Sequence, residues 1–168
     1  MGFPGRRHPC GGHPAARLTA PHPYGPIVCV DTRGRTLAID YGEKNIGLAC
    51  SDDLGITVRP LPSIPNSGRK DLVRALKSVA AELGICRLVV GIPLNMDGSR
   101  NDSVRRTERL MRRLQAALDL PLVGVDERLS SVEAAGYWNR MSARQKKKYR
   151  TLDSLAAALI LERYMREY

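Results

Sequence analysis

The spacing of apolar residues predicts three short strands at the start of the folded part of the chain. Leu37–Ile39 and Ile46–Cys50 are two apolar runs on either side of a tight turn, and Ile56–Ile64 follows as a third run. Pro60 and Pro62 lie in the third run, which predicts an edge position for its far end. Because short turns join the three runs, we expect an antiparallel meander.

The pattern then changes to helices and buried strands. Apolar residues recur at helical spacing over residues 71–83, with Gly84 as the predicted end. Arg87–Ile92 is almost continuously apolar, as expected for a parallel strand that is buried on both faces. A second helix is predicted from Ser103 to Leu118, followed by another short strand from Pro121 to Val125.

The C-terminal third predicts further helices. Ser130 and Glu133 have capping-box spacing, and Thr151-Leu152-Asp153 opens a last helix. The basic run that contains Lys146, Lys147 and Lys148 is assigned to a loop. The order of three strands, helix, strand, helix, strand and helices predicts an α/β fold: a mixed five-stranded sheet, antiparallel then parallel, with helices on both faces.

Residues 1–35 differ from the remainder in composition. Residues 1–26 hold six of the eleven prolines and five of the fifteen glycines, which disfavours regular helix or strand. Ile27–Val30 is left open as a short strand or part of the tail. We therefore expect a disordered basic extension over residues 1–35 and one folded domain over residues 36–168.

The charge of the chain favours a polyanionic partner. The net charge is +10, and only part of it comes from residues 1–35, which contain five Arg and one Asp. A basic domain without an amphipathic basic helix that carries large apolar aromatics, and without a membrane-length apolar run, favours nucleic acid over a membrane. The alternative is a basic surface that only keeps the protein soluble.

The four cysteines are widely separated and form no CxxC pair. Two of them, Cys50 and Cys86, lie in apolar runs, where a free thiol acts as a small hydrophobe. This usage favours a reducing, cytoplasmic setting.

Arginine is concentrated on the second predicted helix. Arg105, Arg109 and Arg112 have the spacing i, i+4, i+7, and Arg106 and Arg113 flank them. Such a face is either simply solvated or bound to a phosphate backbone, and the overall charge makes the second interpretation a fair hypothesis.

Acidic residues follow two predicted strands and open the last helix. Asp40 follows the first strand, Asp126 and Glu127 follow the last strand, and Asp153 begins a helix. In open α/β sheets the functional crevice lies at the carboxyl ends of the strands, so these acids are expected to converge. Individually, Asp40 suits a turn, Asp153 suits a helix start, and Asp126 or Glu127 could pair with Arg128.

Converging carboxylates have one dominant chemical use. Crowded like charges repel each other unless divalent cations neutralise them, and oxygen ligands suit Mg²⁺ or Mn²⁺. Two such ions about 4 Å apart can activate water and stabilise the leaving oxygen during phosphodiester cleavage.

Four segments together resemble the YqgF/RuvX family of bacterial nucleases. They are AIDYGEKNIGLACSD, VVGIPLNMDGS, VDERLSSVEA and DSLAAALIL, in the family's order, and they extend over nearly the whole domain. The family is similar to the Holliday junction resolvase RuvC and is thought to process the ends of pre-16S ribosomal RNA. The resemblance implies an RNase H-like fold, with Asp40 and Asp153 as metal ligands.

The middle acid of the family comes from the DER motif, where Glu127 is favoured over Asp126. Lys44 lies in the family's turn motif and is a candidate phosphate contact. The chain departs from the family at Asn45, where Arg is common, and at Arg100-Asn101-Asp102, where small and proline residues are usual.

The expected function is a two-metal nuclease that processes the 5′ end of pre-16S rRNA in ribosome biogenesis. Asp40, Glu127 (or Asp126) and Asp153 would ligate Mg²⁺ or Mn²⁺. The phosphate contacts would come from basic residues, namely Lys44, Arg105, Arg109, Arg112, Arg128, Lys146, Lys147 and Lys148.

The alternatives are a Holliday junction resolvase acting on branched DNA and a nucleic-acid-binding ribosome-assembly module without catalysis. The oligomeric state is left open between monomer and homodimer. An actin-like ATPase is disfavoured because the chain is too short for two such domains.

Overall fold

The computed structural model describes residues 18–22, 25–28, 34–66, 68–94, 101–126, 136, 138–139, 141–149 and 151–167. Within these ranges the chain forms seven strands and four helices. The strands are β1 (Leu18–His22), β2 (Gly25–Val28), β3 (Arg35–Tyr41), β4 (Asn45–Ser51), β5 (Val58–Pro65), β6 (Ile85–Ile92) and β7 (Leu122–Asp126). The helices are α1 (Arg69–Leu83), α2 (Asp102–Ala117), α3 (Ala143–Tyr149) and α4 (Leu152–Glu167).

The main sheet has the predicted mixed topology. Its strand order is β5-β4-β3-β6-β7, with β3, β4 and β5 antiparallel and with β6 and β7 parallel to β3. The proline-bearing β5 lies at one edge, where a missing backbone N–H leaves no gap in a ladder. The prediction of a mixed five-stranded sheet is confirmed.

Helices cover both faces of this sheet, also as predicted. On one face, the largest core cluster joins Leu37, Ile39 and Val90 to apolar side chains of α1 and α2. On the other face, small residues of the sheet such as Ala38 and Ala49 pack against Ala157 and Leu161 of α4. Because these contacts are between alanines, α4 approaches the sheet closely.

Both predicted central helices begin and end close to their expected positions. α1 ends at Gly84, whose φ of 64° is in the left-handed region that glycine occupies without strain. α2 begins after Asn101, whose side-chain oxygen accepts a hydrogen bond from the Val104 backbone N–H at 3.0 Å. Asn101 is one of the positions that departs from the family pattern, and here it serves as the N-cap.

Two expectations about local structure were wrong. Residues 18–22 and 25–28 form an antiparallel hairpin where no regular structure was expected before residue 27. Pro21 and Pro26 are register partners in it, and a two-stranded sheet tolerates them because each strand has a free edge. The lysine run lies in the short helix α3 instead of a loop. The predicted capping-box helix at Ser130–Glu133 lies outside the described residues.

The cysteines divide into two cases. Cys50 is free and buried, as expected of a small apolar residue, and its burial raises the pKa of the thiol. Cys86 is disulfide-bonded, so the expectation of a free thiol was wrong for it.

None of the helices in the described part of the chain has the length and apolar character needed to cross a bilayer.

Candidate active site

Asp40 lies near the carboxyl end of β3, on the face of the sheet that α4 covers. Side chains alternate along a strand, so Asp40 shares a face with Ala38, which packs in the α4 cluster. The following residue, Tyr41, lies on the opposite side and packs against the α1 and α2 cluster. In the antiparallel ladder, Asp40 is the register partner of Gly47 in β4.

Gly47 is the residue on which the first turn of α4 lies. A Cβ atom at Gly47 would overlap the backbone carbonyl oxygen of Asp153 and would lie 3.2 Å from the Asp153 Cα. The helix start therefore contacts the sheet backbone at the register partner of Asp40. Asp40 and Asp153 are far apart in the sequence, and this contact places the Asp153 backbone against the strand that pairs with Asp40.

Hydrogen bonds hold the first turn of α4 in this position. The Thr151 hydroxyl accepts a hydrogen bond from the Ser154 backbone N–H at 3.1 Å, as an N-cap residue does. The fully buried Ser154 hydroxyl donates to the Leu61 carbonyl of β5 at 2.6 Å. The turn that carries Asp153 is thus closed by its own N-cap and attached to the sheet through the neighbouring Ser154.

Asp126 lies on the other face of the sheet. Its register partner in β6 is Ile92, which belongs to the α1 and α2 cluster, whereas the preceding Val125 packs in the α4 cluster. The strand register therefore separates Asp126 from the face that Asp40 occupies. Its backbone carbonyl accepts a hydrogen bond from Arg163 of α4 at 3.2 Å. Glu127 and Arg128 lie outside the described residues.

A cleft of about 440 Å³ opens at this end of the sheet. One wall is the β3–β4 turn with Asp40 and Glu43, and the other wall is the start of α2 with Ser103 and Arg106. The Arg106 guanidinium spans the two walls, because it forms an ion pair with Glu43 at 3.1 Å and a hydrogen bond to the Ser103 hydroxyl at 2.8 Å.

Asn66 fixes the turn that forms the first wall. Its side-chain amide donates hydrogen bonds to the carbonyls of Gly42, at 3.0 Å, and Glu43, at 3.3 Å. Its backbone N–H donates to the Lys44 carbonyl at 2.9 Å. Sequence reasoning missed Asn66, because nothing in a single Asn after a strand indicates contacts with a turn more than twenty residues earlier.

The donor set in this region suits a hard divalent cation. Asp40 and Asp153 supply carboxylate oxygens from two separately anchored backbone segments, and oxygen ligands are those that Mg²⁺ and Mn²⁺ prefer. In the described ranges, no three His, Cys, Asp or Glu side chains are grouped closely enough to hold a metal ion. A third carboxylate would thus have to come from the undescribed part, which contains Glu127.

The predicted basic residues are distributed over three surfaces. Lys44 is exposed in the β3–β4 turn, next to the cleft wall, and Asn45 is exposed at the start of β4. On α2, Arg106, Arg109 and Arg113 line a narrow groove with Tyr41 and Leu72, whereas Arg105 and Arg112 do not line it. Lys147 is exposed on α3, and the Lys146 ammonium lies 5.6 Å from the centre of the Trp138 ring. The side chain of Lys148 lies outside the described residues.

The fold resembles that of a known junction-resolving enzyme. The crystal structure of the fowlpox virus resolvase with substrate Holliday junction DNA matches 79% of this chain and 97% of that chain, with a TM-score of 0.51 and 12% sequence identity. At that identity the likeness concerns the fold alone. It confirms the prediction of an RNase H-like fold.

Sequence comparison identifies the family. The model of the RuvX family, described as Holliday junction resolvase, matches residues 34–167. A relative from Syntrophus aciditrophicus, named "Putative pre-16S rRNA nuclease", is 35% identical over 131 residues, 78% of this chain and 87% of the relative. A relative of the same name from Geobacillus kaustophilus is 36% identical over 133 residues, 78% of this chain and 96% of the relative.

The fold and the family model together define a nuclease of the RNase H-like class. Within that class, the chain belongs to the RuvX family, as the four sequence segments predicted. The expectation of a hydrolase of the nuclease type is confirmed with it.

Proposed function

We propose that this protein is a divalent-metal-dependent nuclease that hydrolyses phosphodiester bonds at the 5′ end of pre-16S ribosomal RNA in the cytoplasm. The observation that carries the proposal is the contact between Gly47 and Asp153. It joins the α4 start to the register partner of Asp40, which supports a shared site for two carboxylate-bearing residues at the carboxyl end of β3. The names of the relatives supply the RNA substrate.

Asp40, Asp153 and Glu127 are the proposed metal ligands. Asp126 is disfavoured because its register position is on the opposite face from Asp40. Glu127, the next residue, is the acid that the resemblance to the family favours. When bound, Mg²⁺ or Mn²⁺ would lower the pKa of a water molecule and offset negative charge on the scissile phosphate.

The remaining residues of the site position the substrate and the ligands. The anchored first turn of α4 keeps the Asp153 backbone fixed, so little reorganisation is needed when the ligands act. Lys44 beside the cleft and the groove-lining Arg106, Arg109 and Arg113 of α2 offer positive charge to the phosphate backbone. Lys147 and Arg128 are further candidate phosphate contacts.

The proposal is tested by cleavage of a 5′-extended pre-16S rRNA fragment by wild type and Asp40→Asn. Asp40→Asn should abolish Mg²⁺- or Mn²⁺-dependent cleavage while leaving folding and RNA binding nearly unchanged. Asp119→Asn is the matched control, because this exposed aspartate precedes β7 at the other end of the sheet. Persistence of wild-type cleavage in Asp40→Asn would refute the assignment.

Branched DNA is the second candidate substrate. The family model carries the description Holliday junction resolvase, and the fold resembles that of a resolvase solved with junction DNA. Symmetric resolution of a four-way junction needs two sites, hence a dimer. A four-way DNA junction in the same assay, with the molecular mass measured by light scattering, separates this candidate from RNA trimming by a monomer. A module that only binds would cleave neither substrate.

A further inference from the structure

The groove beside the cleft is lined by positive charge along one side of α2. Arg106, Arg109 and Arg113 line it from the helix, and Tyr41 and Leu72 form its other wall. These arginines have the spacing i, i+3, i+7, so they lie on one side of the helix. In the described part of the chain, no carboxylate lies within ion-pair distance of Arg109 or Arg113, which leaves their charge available to an anion.

Tyr41 joins this groove to the candidate active site. It lines both the groove and the 440 Å³ cleft, and it directly follows Asp40 in β3. Arg106 also lines both, so the cleft and the groove share two residues. A nucleic-acid strand that passes through the cleft, beside Asp40, can therefore continue along the arginines of α2.

The length of this surface matches a few phosphates of one strand. Arg106 and Arg113 are seven residues apart, about 10 Å along a helix that rises 1.5 Å per residue. A strand in stacked, helical geometry carries a phosphate about every 3.4 Å along the axis, so this length corresponds to about three phosphates of a stacked strand and to fewer of an extended one. A charged groove next to an aromatic ring is the arrangement by which proteins bind single-stranded nucleic acid, with bases stacked on the ring.

We propose that the groove formed by Tyr41, Arg106, Arg109 and Arg113 binds a single-stranded segment of the nucleic acid adjacent to the cleavage site. The arginines contact consecutive phosphates, and the Tyr41 ring contacts a base. This rests on the proposed function in one respect, the position of the cleavage site at Asp40. The proposal also changes which arginines of α2 are assigned to phosphate contact. Arg109 is kept, and Arg106 and Arg113 replace Arg105 and Arg112.

The test measures binding without cleavage. Fluorescence anisotropy records the affinity of an Asp40→Asn protein, in EDTA, for a labelled oligouridylate and for a blunt RNA duplex of the same length. We expect the single strand to bind more tightly. Because this measurement needs no cleavage, its result does not depend on whether the protein is a nuclease. If the wild-type protein fails to cleave in the assay of the proposed function, the binding result can still support or refute the groove.

Two pairs of charge-removing substitutions then locate the contact. Arg109→Ala/Arg113→Ala should reduce the salt dependence of single-strand binding by about 1.4 in log–log slope, from about 0.7 per phosphate contact. At 0.15 M salt this slope change corresponds to about a tenfold loss of affinity. Arg105→Ala/Arg112→Ala removes the same charge from the same helix outside the groove, and it should leave the slope nearly unchanged.

Tyr41 provides a third measurement. Tyr41→Leu should weaken oligouridylate binding roughly 5- to 100-fold through loss of base stacking, whereas Tyr41→Phe, which keeps the ring, should bind nearly as wild type does. Three results would overturn the proposal: tighter binding of the duplex, equal loss in both arginine pairs, or equal loss in both Tyr41 variants. Circular dichroism of each variant verifies that it is folded.

Discussion

A methyl group added at Gly47 tests whether the position of α4 determines activity. In Gly47→Ala the new Cβ would overlap the Asp153 carbonyl oxygen and would lie 2.5 Å from its carbonyl carbon. An ordinary contact begins at 3.4 Å, so the first turn of α4 must withdraw by about 1 Å. The atoms it meets are backbone atoms, which cannot rotate away as a side chain can.

The expected effect follows from that displacement. A misplacement of about 1 Å in a catalytic constellation reduces the rate about 100-fold. The same overpacking should lower the free energy of unfolding by about 1–3 kcal/mol. The assay is Mg²⁺-dependent cleavage of the pre-rRNA fragment, with the rate divided by the folded fraction from urea unfolding, so that loss of fold and loss of rate are separated.

Gly124→Ala is the matched control. Its added Cβ would overlap the Ile92 Cδ1 atom and lie 3.2 Å from the Met111 Cε atom, both of which are ends of flexible side chains. This variant should also be destabilised but should cleave at nearly the wild-type rate per folded molecule. If Gly47→Ala also cleaves at the wild-type rate, or if Gly124→Ala loses as much activity, the reasoning is refuted.

Three further predictions concern stability and reactivity. Thr151→Ala removes the N-cap of α4 and should lower the free energy of unfolding by about 1 kcal/mol in urea titration; an unchanged value would show that the cap contributes nothing. Asp52 accepts hydrogen bonds from the Thr57 hydroxyl at 2.7 Å and from the Ile56 and Thr57 N–H groups, which lowers its pKa below 3.8. Its stabilising effect is therefore present above that pH and lost as the pH falls through the folded-state pKa, so Asp52→Asn should flatten the acid limb of the stability curve, and an identical limb would contradict this. Burial raises the pKa of Cys50, so its thiol should resist iodoacetamide at pH 8 in the native protein and react after unfolding, and rapid native labelling would contradict the burial.

The sequence predicted those parts of the fold that have a clear period. The helical spacing over α1 and α2, the continuous apolar run of β6 and the prolines of β5 each indicate one type of element and one kind of environment. α3 was missed because its sequence, ARQKKKY, has no apolar stripe that would indicate a buried face. The β1–β2 hairpin was missed because its prolines argue against strands unless both strands are edges.

The sequence predicted which acidic residues belong to the candidate site, but it did not predict the strand register and the helix contact that determine their positions. Carboxylates after strands and at a helix start suggested Asp40 and Asp153 as a pair. The face on which Asp126 lies depends on the register of β7 against β6, and a single sequence does not reveal register. Gly47 was visible as a glycine beside a turn, but the segment that approaches it comes from the far end of the domain.

The docking of α4 on Gly47 has a consequence for the timing of activity during synthesis. Asp40 belongs to the first strand of the main sheet and leaves the ribosome before Asp153, which belongs to the last helix described. A nascent chain that has folded its β3–β5 meander still lacks the helix that supplies the second carboxylate. The proposed catalytic centre is therefore completed only after α4 has been made, and a chain that ends before α4 is expected to lack the proposed cleavage activity.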